Sequence, residues 1–257
     1  MSCASSATRM AVGPMYDGKS VLCVVPARAG SRQIPGKNMR LLGGRPLIQY
    51  AFDNAIACPE IDRTIVSTDS PEVAELAREL GLDVPFVRPE SLTGDRVGTI
   101  DVLLHAMDHI ETHEDRRYDV LVLLHATAPL CAVEDVSACV RLLVDSGAPS
   151  VFTVAPSSRN PYFNMVEEGS DGTVQLCKPG LFVTRQDAPP VYDLNSAAYA
   201  WPWQTLREHR AVVLPGSRVV VMPKERSIDI DDETDLLLAE AIMARRDASL
   251  HREVAGS

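Results

Sequence analysis

Short apolar runs alternate with amphipathic segments along most of this chain. The runs at 21–25 and 120–124 are unbroken, which is typical of strands buried on both faces of a sheet. The predicted strands are 21–25, 64–68, 83–87, 120–124, 151–154 and 219–222. The predicted helices are 46–56, 71–80, 99–110, 132–145 and 233–246. Because strands and helices alternate, the pattern predicts an α/β sandwich with a mostly parallel sheet.

The periodicity fails between residues 157 and 192, where proline, asparagine, glycine and charged residues prevail. This stretch is either a mobile lid or an inserted arm. We favour the arm, because 174–176 and 181–183 have the composition of two short paired strands. The predicted divisions of the chain are a poorly ordered tail at 1–19, one domain at 20–246 and a polar tail at 247–257.

Charge and composition exclude several classes of protein. The 257 residues include 25 Lys and Arg against 35 Asp and Glu, a formal charge of −10, and 46% are hydrophobic. This acidic balance argues against binding along a nucleic-acid backbone, although it allows a local basic pocket for a small anion. No apolar stretch is long enough to span a membrane. Without a secretory signal, a C-x-x-C pair or a histidine cluster, the six cysteines favour a cytoplasmic protein with no zinc site.

The loop at 27–38, which follows the first predicted strand, is strongly basic. Arg28, Arg32 and Lys37 lie within ten residues of each other, and Gly30 and Gly36 allow close approach of the backbone to a ligand. Guanidinium groups and backbone N–H groups suit phosphate oxygens, so the loop predicts a triphosphate site. The alternative is a solvated basic loop. The sequence matches neither the Walker A motif nor the dinucleotide-binding G-x-G-x-x-G motif.

Asp229 and Asp231 form a second candidate site. Residues two apart in an extended segment share a face, and two adjacent carboxylates repel each other unless a cation lies between them. Oxygen ligands together with phosphates are typical of Mg²⁺ sites. The alternative is an acidic cap of the helix that begins near Glu233. A triphosphate loop in the same chain favours the metal.

Polar side chains near the later strands are further candidates. Arg185 and Gln186, with Asn195 and Tyr199, offer hydrogen bonds suited to a polyhydroxylated substrate, although their spacing also fits an ordinary turn followed by a strand. His125 directly follows a predicted strand, where ligands of α/β sheets bind. Such a histidine is either a ligand contact or a structural hydrogen-bonding residue.

Several motifs together resemble the acylneuraminate cytidylyltransferase family. They are Val24-Val25-Pro26-Ala27-Arg28-x-Gly30-Ser31 followed by Lys37-Asn38, Ser67-Thr68-Asp69, Arg88-Pro89-Glu90, Thr127-x-Pro129-Leu130, Arg185-Gln186-Asp187 and Ser227-Ile228-Asp229-Ile230-Asp231. They occur in the family's order between residues 21 and 246. The resemblance implies a Rossmann-like fold of the nucleotide-diphospho-sugar transferase type, with a small inserted dimerisation arm and a homodimer.

The resemblance also implies an activity, namely Mg²⁺-dependent transfer of CMP from CTP to the anomeric hydroxyl of a 2-keto sugar acid, with release of pyrophosphate. The residues that it places on the CTP loop are Arg28, Ser31, Arg32, Lys37 and Asn38. Arg28 and Lys37 would neutralise charge on the leaving pyrophosphate, whereas Arg88 and Thr99 would contact the base and ribose. Asp229 and Asp231 would hold the metal. The segment 157–192 would reach a neighbouring subunit's sugar site, and Tyr199 would contact the sugar.

The chain departs from the family pattern mainly in the acceptor half. His125 and Cys131 replace the usual Gln and Arg, Ser196 replaces a Gly, and Arg32 replaces a Lys. The acceptor is therefore open between N-acetylneuraminate, another nonulosonate such as a legionaminate-like sugar, and a non-sugar acid. Two other functions are alternatives: a nucleotide-sugar glycosyltransferase, which would place its Asp-x-Asp after a central strand, and a non-catalytic nucleotide sensor.

Overall fold

The computed structural model describes residues 16–31, 34–180, 182 and 184–255, with side chains at all of these except 185 and 247–255. Its strands are β1 Val21–Ala27, β2 Leu41–Leu42, β3 Arg45–Pro46, β4 Arg63–Thr68, β5 Val120–Leu124, β6 Val151–Pro156, β7 Val166–Glu168, β8 Val174–Leu176, β9 Tyr192–Pro202 and β10 Arg218–Val221. Its α-helices are α1 Leu47–Ala57, α2 Pro71–Glu79, α3 Thr99–Glu114, α4 Val133–Ser146, α5 Trp203–His209 and α6 Glu233–Ala255.

Six strands form one central sheet in the order β10-β6-β9-β5-β1-β4. All neighbouring pairs are parallel except those of β9, which runs antiparallel to both β5 and β6. The sheet is therefore mostly parallel, as the alternation of strands and helices predicts. Parallel β1, β4 and β5 bring their carboxyl ends to one edge, where ligand sites of α/β sheets lie.

Helices cover both faces of the sheet. Cys23 and Val25 of β1 pack in a core with Phe52 of α1 and Val140 of α4. The alternate residues of β1 point the other way, and Leu22 packs in a second core with side chains of α3 and α5. Both faces of β1 are thus buried, which explains its unbroken apolar run and confirms the three-layer sandwich.

The segment 83–87 is not a strand, which corrects the prediction. It touches edge strand β4 through two isolated bridges, Ile65 to Asp83 and Thr68 to Val87. Between the bridges stands Pro85, which has no N–H to donate to a ladder. The contact still positions Arg88, whose backbone N–H donates to Thr68 O at 2.9 Å.

The arm contains a hairpin, but its strands are not the predicted pair. β8 pairs antiparallel with β7 and not with 181–183, of which Leu181 and Val183 lie outside the described residues. Gly169 N–H donates to Thr173 O at 2.8 Å, and Gly172 has a φ of +80°. This tight turn joins β7 directly to β8, so β8 pairs with the strand that precedes it in the chain.

Both predicted tails need correction where the structure describes them. Tyr16 bridges to Lys19, and its hydroxyl donates to Asp145 at 3.1 Å, so the domain begins before residue 20. The rest of the predicted N-terminal tail, 1–15, lies outside the described residues. At the other end, α6 continues to Ala255, so the predicted terminal helix extends beyond 246 into the segment that was predicted as a polar tail. No helix among the described residues combines the length and apolar character needed to cross a membrane.

Candidate functional site

Two adjoining clefts lie at the carboxyl ends of β1 and β5. The larger, of about 480 Å³, is lined by Arg28, Gly30, Ser31, Lys37, Asn38, Asp95, His125, Thr127 and Asp231, among others. The smaller, of about 260 Å³, is lined by Arg88, Leu92, Gly94, Val97, Thr99 and Val102, and it shares Pro26, Arg28, Asp95 and His125 with the first. The structure thus gathers nine of the predicted site residues around one two-part crevice: Arg28, Ser31, Lys37, Asn38, Arg88, Thr99, His125, Asp231 and, behind Thr127, Asp229.

The basic loop is held in place by hydrogen bonds at both ends. Asn38 Nδ2 donates to the carbonyl oxygen of Arg28 at 2.9 Å, and Ala29 N–H donates to Asp69 Oδ1 at 2.8 Å. Gly36 has a φ of +65°, which lets the chain turn back into the short 3-10 helix at Lys37–Met39. Ile34 is fully buried beside Ile230. The loop is therefore anchored to the segment that carries the two aspartates.

Each of the two described cations of the loop has a carboxylate partner. Arg28 Nη1 lies 2.6 Å from Asp95 Oδ1. Lys37 Nζ lies 3.2 Å from Asp231 Oδ1 and donates to Ile230 O at 2.5 Å. These cations are positioned in the larger cleft before any ligand arrives. A phosphate ligand would compete with Asp95 and Asp231 for them. The third predicted cation, Arg32, lies outside the described residues.

Arg88 is a buried cation at the back of the smaller cleft. Its side chain donates to Ser67, from Nε to Oγ at 3.2 Å and from Nη2 to the carbonyl oxygen. Burial lowers its pKa to about 10, so the guanidinium is still charged near neutral pH. Thr99 is the first residue of α3 and faces the same cleft. A rigid donor and a hydroxyl in a small recess suit a heterocyclic base with its ribose.

The two aspartates differ in their surroundings. Burial raises the pKa of Asp229, while the nearby side chains of Thr127 and Ser196 oppose that rise by favouring the charged carboxylate. Its Oδ1 is buried and has no hydrogen-bond partner among the described residues. Asp231 is largely exposed and pairs with Lys37. Ile230 N–H, between them, donates to Thr127 O at 2.8 Å and so fixes both aspartates to the loop after β5.

Asp232, rather than the predicted metal pair, caps α6. Its Oδ1 accepts from Thr234 N–H at 2.7 Å and from Asp235 N–H at 3.0 Å, which is the bonding of an N-terminal cap. The capping alternative concerned Asp231 or Asp232, and because Asp232 takes that role, Asp231 is free of it. Carboxylate oxygens, one of them without a partner, suit a hard divalent cation. Within the described part of the chain no third His, Cys, Asp or Glu completes a metal-binding cluster, so phosphate and water oxygens would complete the coordination.

His125 lines both clefts as a neutral side chain. Its Nε2 is buried without a hydrogen-bond partner among the described residues, and its ring lies 5.3 Å from that of Tyr199 in an edge-to-face contact. Burial lowers the pKa of the imidazole to about 4. At neutral pH the ring therefore offers a neutral donor or acceptor at the junction of the clefts.

The remaining predicted substrate contacts are Asn195, Tyr199, Arg185 and Gln186. Asn195 is buried, and its amide is engaged by Thr153 Oγ1 at 2.7 Å and by Ser227 Oγ at 3.0 Å, so it links β9 to β6 and to the segment of the two aspartates. Tyr199 is buried, with its hydroxyl beside Ser196. Arg185 and Gln186 lie in a short 3-10 turn closed by Thr184 and Asp187, and the described Gln186 does not line either cleft.

Three residues of the site were not predicted: Asp95, Thr127 and Ser196. Thr127 stands in a motif that the sequence shows, so its place after β5 is predictable from the sequence. Asp95 is one acid in an exposed loop, and no pattern distinguishes it. Ser196 reaches Asp229 only because β9 folds back beside β5.

Several known proteins are similar to this chain in sequence or in structure. A family model described as Cytidylyltransferase matches residues 22–193. The CMP-N,N'-diacetyllegionaminic acid synthase of Campylobacter jejuni is 32% identical over 229 residues, which cover 89% of this chain and 97% of that protein. The pseudaminic acid cytidylyltransferase of the same organism is 29% identical, with 86% of this chain and 95% of that protein covered.

A solved structure of CMP:2-keto-3-deoxy-manno-octonic acid synthetase in complex with CTP superposes with a TM-score of 0.63. The alignment covers 88% of this chain and 99% of that one, at 18% identity. At that identity the likeness concerns the fold.

Proposed function

This chain belongs to the cytidylyltransferase family, and from that premise we propose that it transfers CMP from CTP to the anomeric hydroxyl of a 2-keto sugar acid. The observation that carries the proposal is the two-part crevice. Its larger part combines Arg28 and Lys37 with Asp231 of the aspartate segment, which is residues 227–231. Its smaller part holds Arg88 and Thr99. A triphosphate joined to a base needs such a pair of adjoining recesses.

The phosphate chain of CTP is assigned to the larger cleft. Arg28, Lys37 and the backbone around Gly30 and Ser31 supply positive charge and donors there. The base and ribose are assigned to the smaller cleft beside Arg88. His125 lies at the junction, where its neutral ring faces the linkage between ribose and phosphates.

The reaction exchanges a phosphoanhydride bond of CTP for a phosphate ester bond to the acceptor. The anomeric oxygen of the acceptor forms a bond to the α-phosphorus, the bond from that phosphorus to the bridging oxygen breaks, and pyrophosphate leaves with the electron pair. Arg28 and Lys37 are the groups that stabilise the charge on the departing oxygens, which is electrostatic catalysis by preformed charges. The proton of the anomeric hydroxyl is lost to water or to a carboxylate at the site.

Asp229 and Asp231 would hold Mg²⁺. The fit rests on two hard oxygen donors next to the phosphate cleft and on the buried Oδ1 of Asp229, which has no partner among the described residues. When bound, the ion supplies charge neutralisation at the triphosphate.

The acceptor class is supported by the named relatives, which are CMP-legionaminic and CMP-pseudaminic acid enzymes. We propose a nonulosonate of this type, with N-acetylneuraminate as the first alternative. The experiment is pyrophosphate release from CTP with Mg²⁺ and a panel of 2-keto sugar acids, with ATP, GTP and UTP as controls. Release that requires both CTP and one sugar acid supports the proposal. Absence of CTP binding, or release with CTP in the absence of any sugar acid, contradicts it.

A homodimer formed through the arm is also proposed. The hairpin of β7 and β8 presents Val166 and Val174 at 60% and 64% exposure, and Met165 beside it is 40% exposed. Apolar side chains exposed together on a projecting hairpin mark a contact surface. Sedimentation should give twice the chain mass, and replacement of Val166 and Val174 by Lys should give the monomer. A wild-type monomer would contradict the proposal.

The cytoplasm is the proposed compartment. Its support is that the five cysteines in the described part of the chain are free thiols, which suits a reducing environment. Fractionation of cells of the source organism, with detection of the untagged chain, tests this directly.

A further inference from the structure

Asp95 places a carboxylate in the crevice that is assigned to phosphate groups. It lines both the larger and the smaller cleft, as Arg28 does. The two side chains form an ion pair in which Arg28 Nη1 donates to Asp95 Oδ1 at 2.6 Å. A negative charge repels phosphate oxygens, so Asp95 weakens the attraction of the larger cleft for every phosphate ligand. The net effect on a given ligand therefore depends on what else that ligand contacts.

A ligand can separate this ion pair without disturbing the fold around it. The side chains of Arg28 and Asp95 are 36% and 34% exposed, and pairs that water reaches to this extent contribute little to stability. The backbone of the loop is held by other contacts, from Asn38 Nδ2 to Arg28 O at 2.9 Å and from Ala29 N–H to Asp69 Oδ1 at 2.8 Å. Asp95 thus controls where the guanidinium lies, whereas the loop is fixed without it.

A nucleotide and inorganic pyrophosphate meet this pair differently. A nucleotide also reaches the smaller cleft, where Arg88 and Thr99 add to its binding. There its ribose hydroxyls can donate to Asp95 once Arg28 has moved to the phosphates. Pyrophosphate occupies the larger cleft alone and gains neither contribution. It therefore bears the full cost of separating the pair and of lying beside the carboxylate.

We propose that Asp95 makes the crevice selective for a nucleotide over the inorganic pyrophosphate that the reaction releases. It pairs with Arg28 when no nucleotide spans both clefts, and this pairing opposes pyrophosphate as a ligand. After transfer, pyrophosphate is no longer joined to the base, so Asp95 competes for Arg28 and favours release of the product. The inference rests on the proposed function, because it assumes that CTP is the ligand of the crevice.

The test compares two dissociation constants, that of inorganic pyrophosphate and that of CTP. Isothermal titration calorimetry measures both at one Mg²⁺ concentration and without any sugar acid, for the wild type, Asp95→Asn and Asp95→Ala. Asparagine keeps the size of the side chain and removes its charge, whereas alanine removes every atom beyond Cβ. The control is Asp108→Asn, which removes one charge from the ion pair with Arg207 at 2.7 Å and lies outside both clefts. Melting temperatures identify the variants that are folded.

Both Asp95 variants should bind pyrophosphate about tenfold more tightly than the wild type, because a negative charge is removed beside the phosphates. The dissociation constant for CTP should change less, because the lost repulsion is offset by the lost contact to the ribose. Asp108→Asn should bind both ligands as the wild type does. A gain in affinity distinguishes selection from damage to the fold, which would weaken the binding of both ligands.

Unchanged or weaker pyrophosphate binding in a folded Asp95 variant, with CTP bound normally by the wild type, would overturn this inference alone. An equal gain for pyrophosphate and CTP would also overturn it, because Asp95 would then repel all phosphates without selecting among them. The same gain in Asp108→Asn would overturn it as well, since any lost negative charge would then suffice. Absence of CTP binding by the wild type would instead overturn the proposed function, on which the inference rests.

Discussion

The ion pair between Asp135 and Arg226 should stabilise the fold by holding the start of the aspartate segment against α4. Asp135 lies in the first turn of α4 with its side chain 5% exposed, and Arg226 is 33% exposed. The guanidinium donates twice, from Nε at 2.9 Å and from Nη2 at 2.7 Å. Arg226 stands three residues before Asp229, so the pair ties the start of that segment to α4.

Arg226→Met should destabilise the protein by about 2 kcal/mol, below the roughly 3–5 kcal/mol found when one partner of a fully buried pair is removed. The expected loss of stability is smaller than for a fully buried pair for two reasons. Arg226 is partly exposed, so water reaches Asp135 once the guanidinium is gone, and Asp135 keeps its bond from Ala132 N–H at 3.0 Å. The double variant Arg226→Met with Asp135→Asn should lose less unfolding free energy than the sum of the two single losses, because no unpaired charge is then buried.

Urea denaturation at neutral pH gives the free energy of unfolding for the two single variants and the double variant. The matched control is Arg40→Met, which breaks the exposed ion pair with Glu233 at 3.1 Å and should cost under about 1 kcal/mol. Equal losses in Arg226→Met and Arg40→Met would refute the reasoning. Strict additivity in the double variant would refute it too, since it would show that the two groups do not interact.

Three further outcomes are expected. First, the partly buried His125 has its pKa lowered from 6.5 to about 4, so the unfolded chain takes up the proton first as the pH falls; stability should drop between about pH 6.5 and pH 4, by up to about 3 kcal/mol, and Gln at this position should flatten that slope in urea titrations across the range. An unchanged slope in His125→Gln would contradict the assignment. Second, burial raises the pKa of Cys131 to about 12, so peptide mapping after iodoacetamide treatment at pH 7.5 should find it unmodified in the folded protein and modified in urea. Modification at equal rates in both states would show that the thiol is exposed. Third, Arg88→Lys should raise the KM for CTP roughly tenfold or more, because one ammonium cannot reproduce the donors of a planar guanidinium that is held by Ser67; an unchanged KM would remove Arg88 from the nucleotide cleft.

The layers of this fold and the basic loop of its candidate site follow from local sequence pattern. Runs such as 21–25 and 120–124 encode burial on both faces, and helical periodicity encodes burial on one, so local pattern alone specifies an α/β sandwich. The basic loop is local in the same sense. Its cations and glycines are close in sequence and directly follow β1, so their position at the sheet edge can be predicted without knowledge of any long-range contact.

Contacts between segments that are far apart in the sequence are visible only in the folded chain. β9 enters the sheet antiparallel between β5 and β6, which turns Asn195 into a buried link and brings Ser196 to Asp229. Nothing in the spacing of these residues encodes that neighbour, because strand order depends on pairing across the whole chain. Desolvation is equally non-local, and it lowers the pKa of His125 and raises that of Cys131 only because other elements cover them. The capping residue of α6 is likewise visible only in the folded segment, where Asp232 accepts from the backbone N–H groups of Thr234 and Asp235.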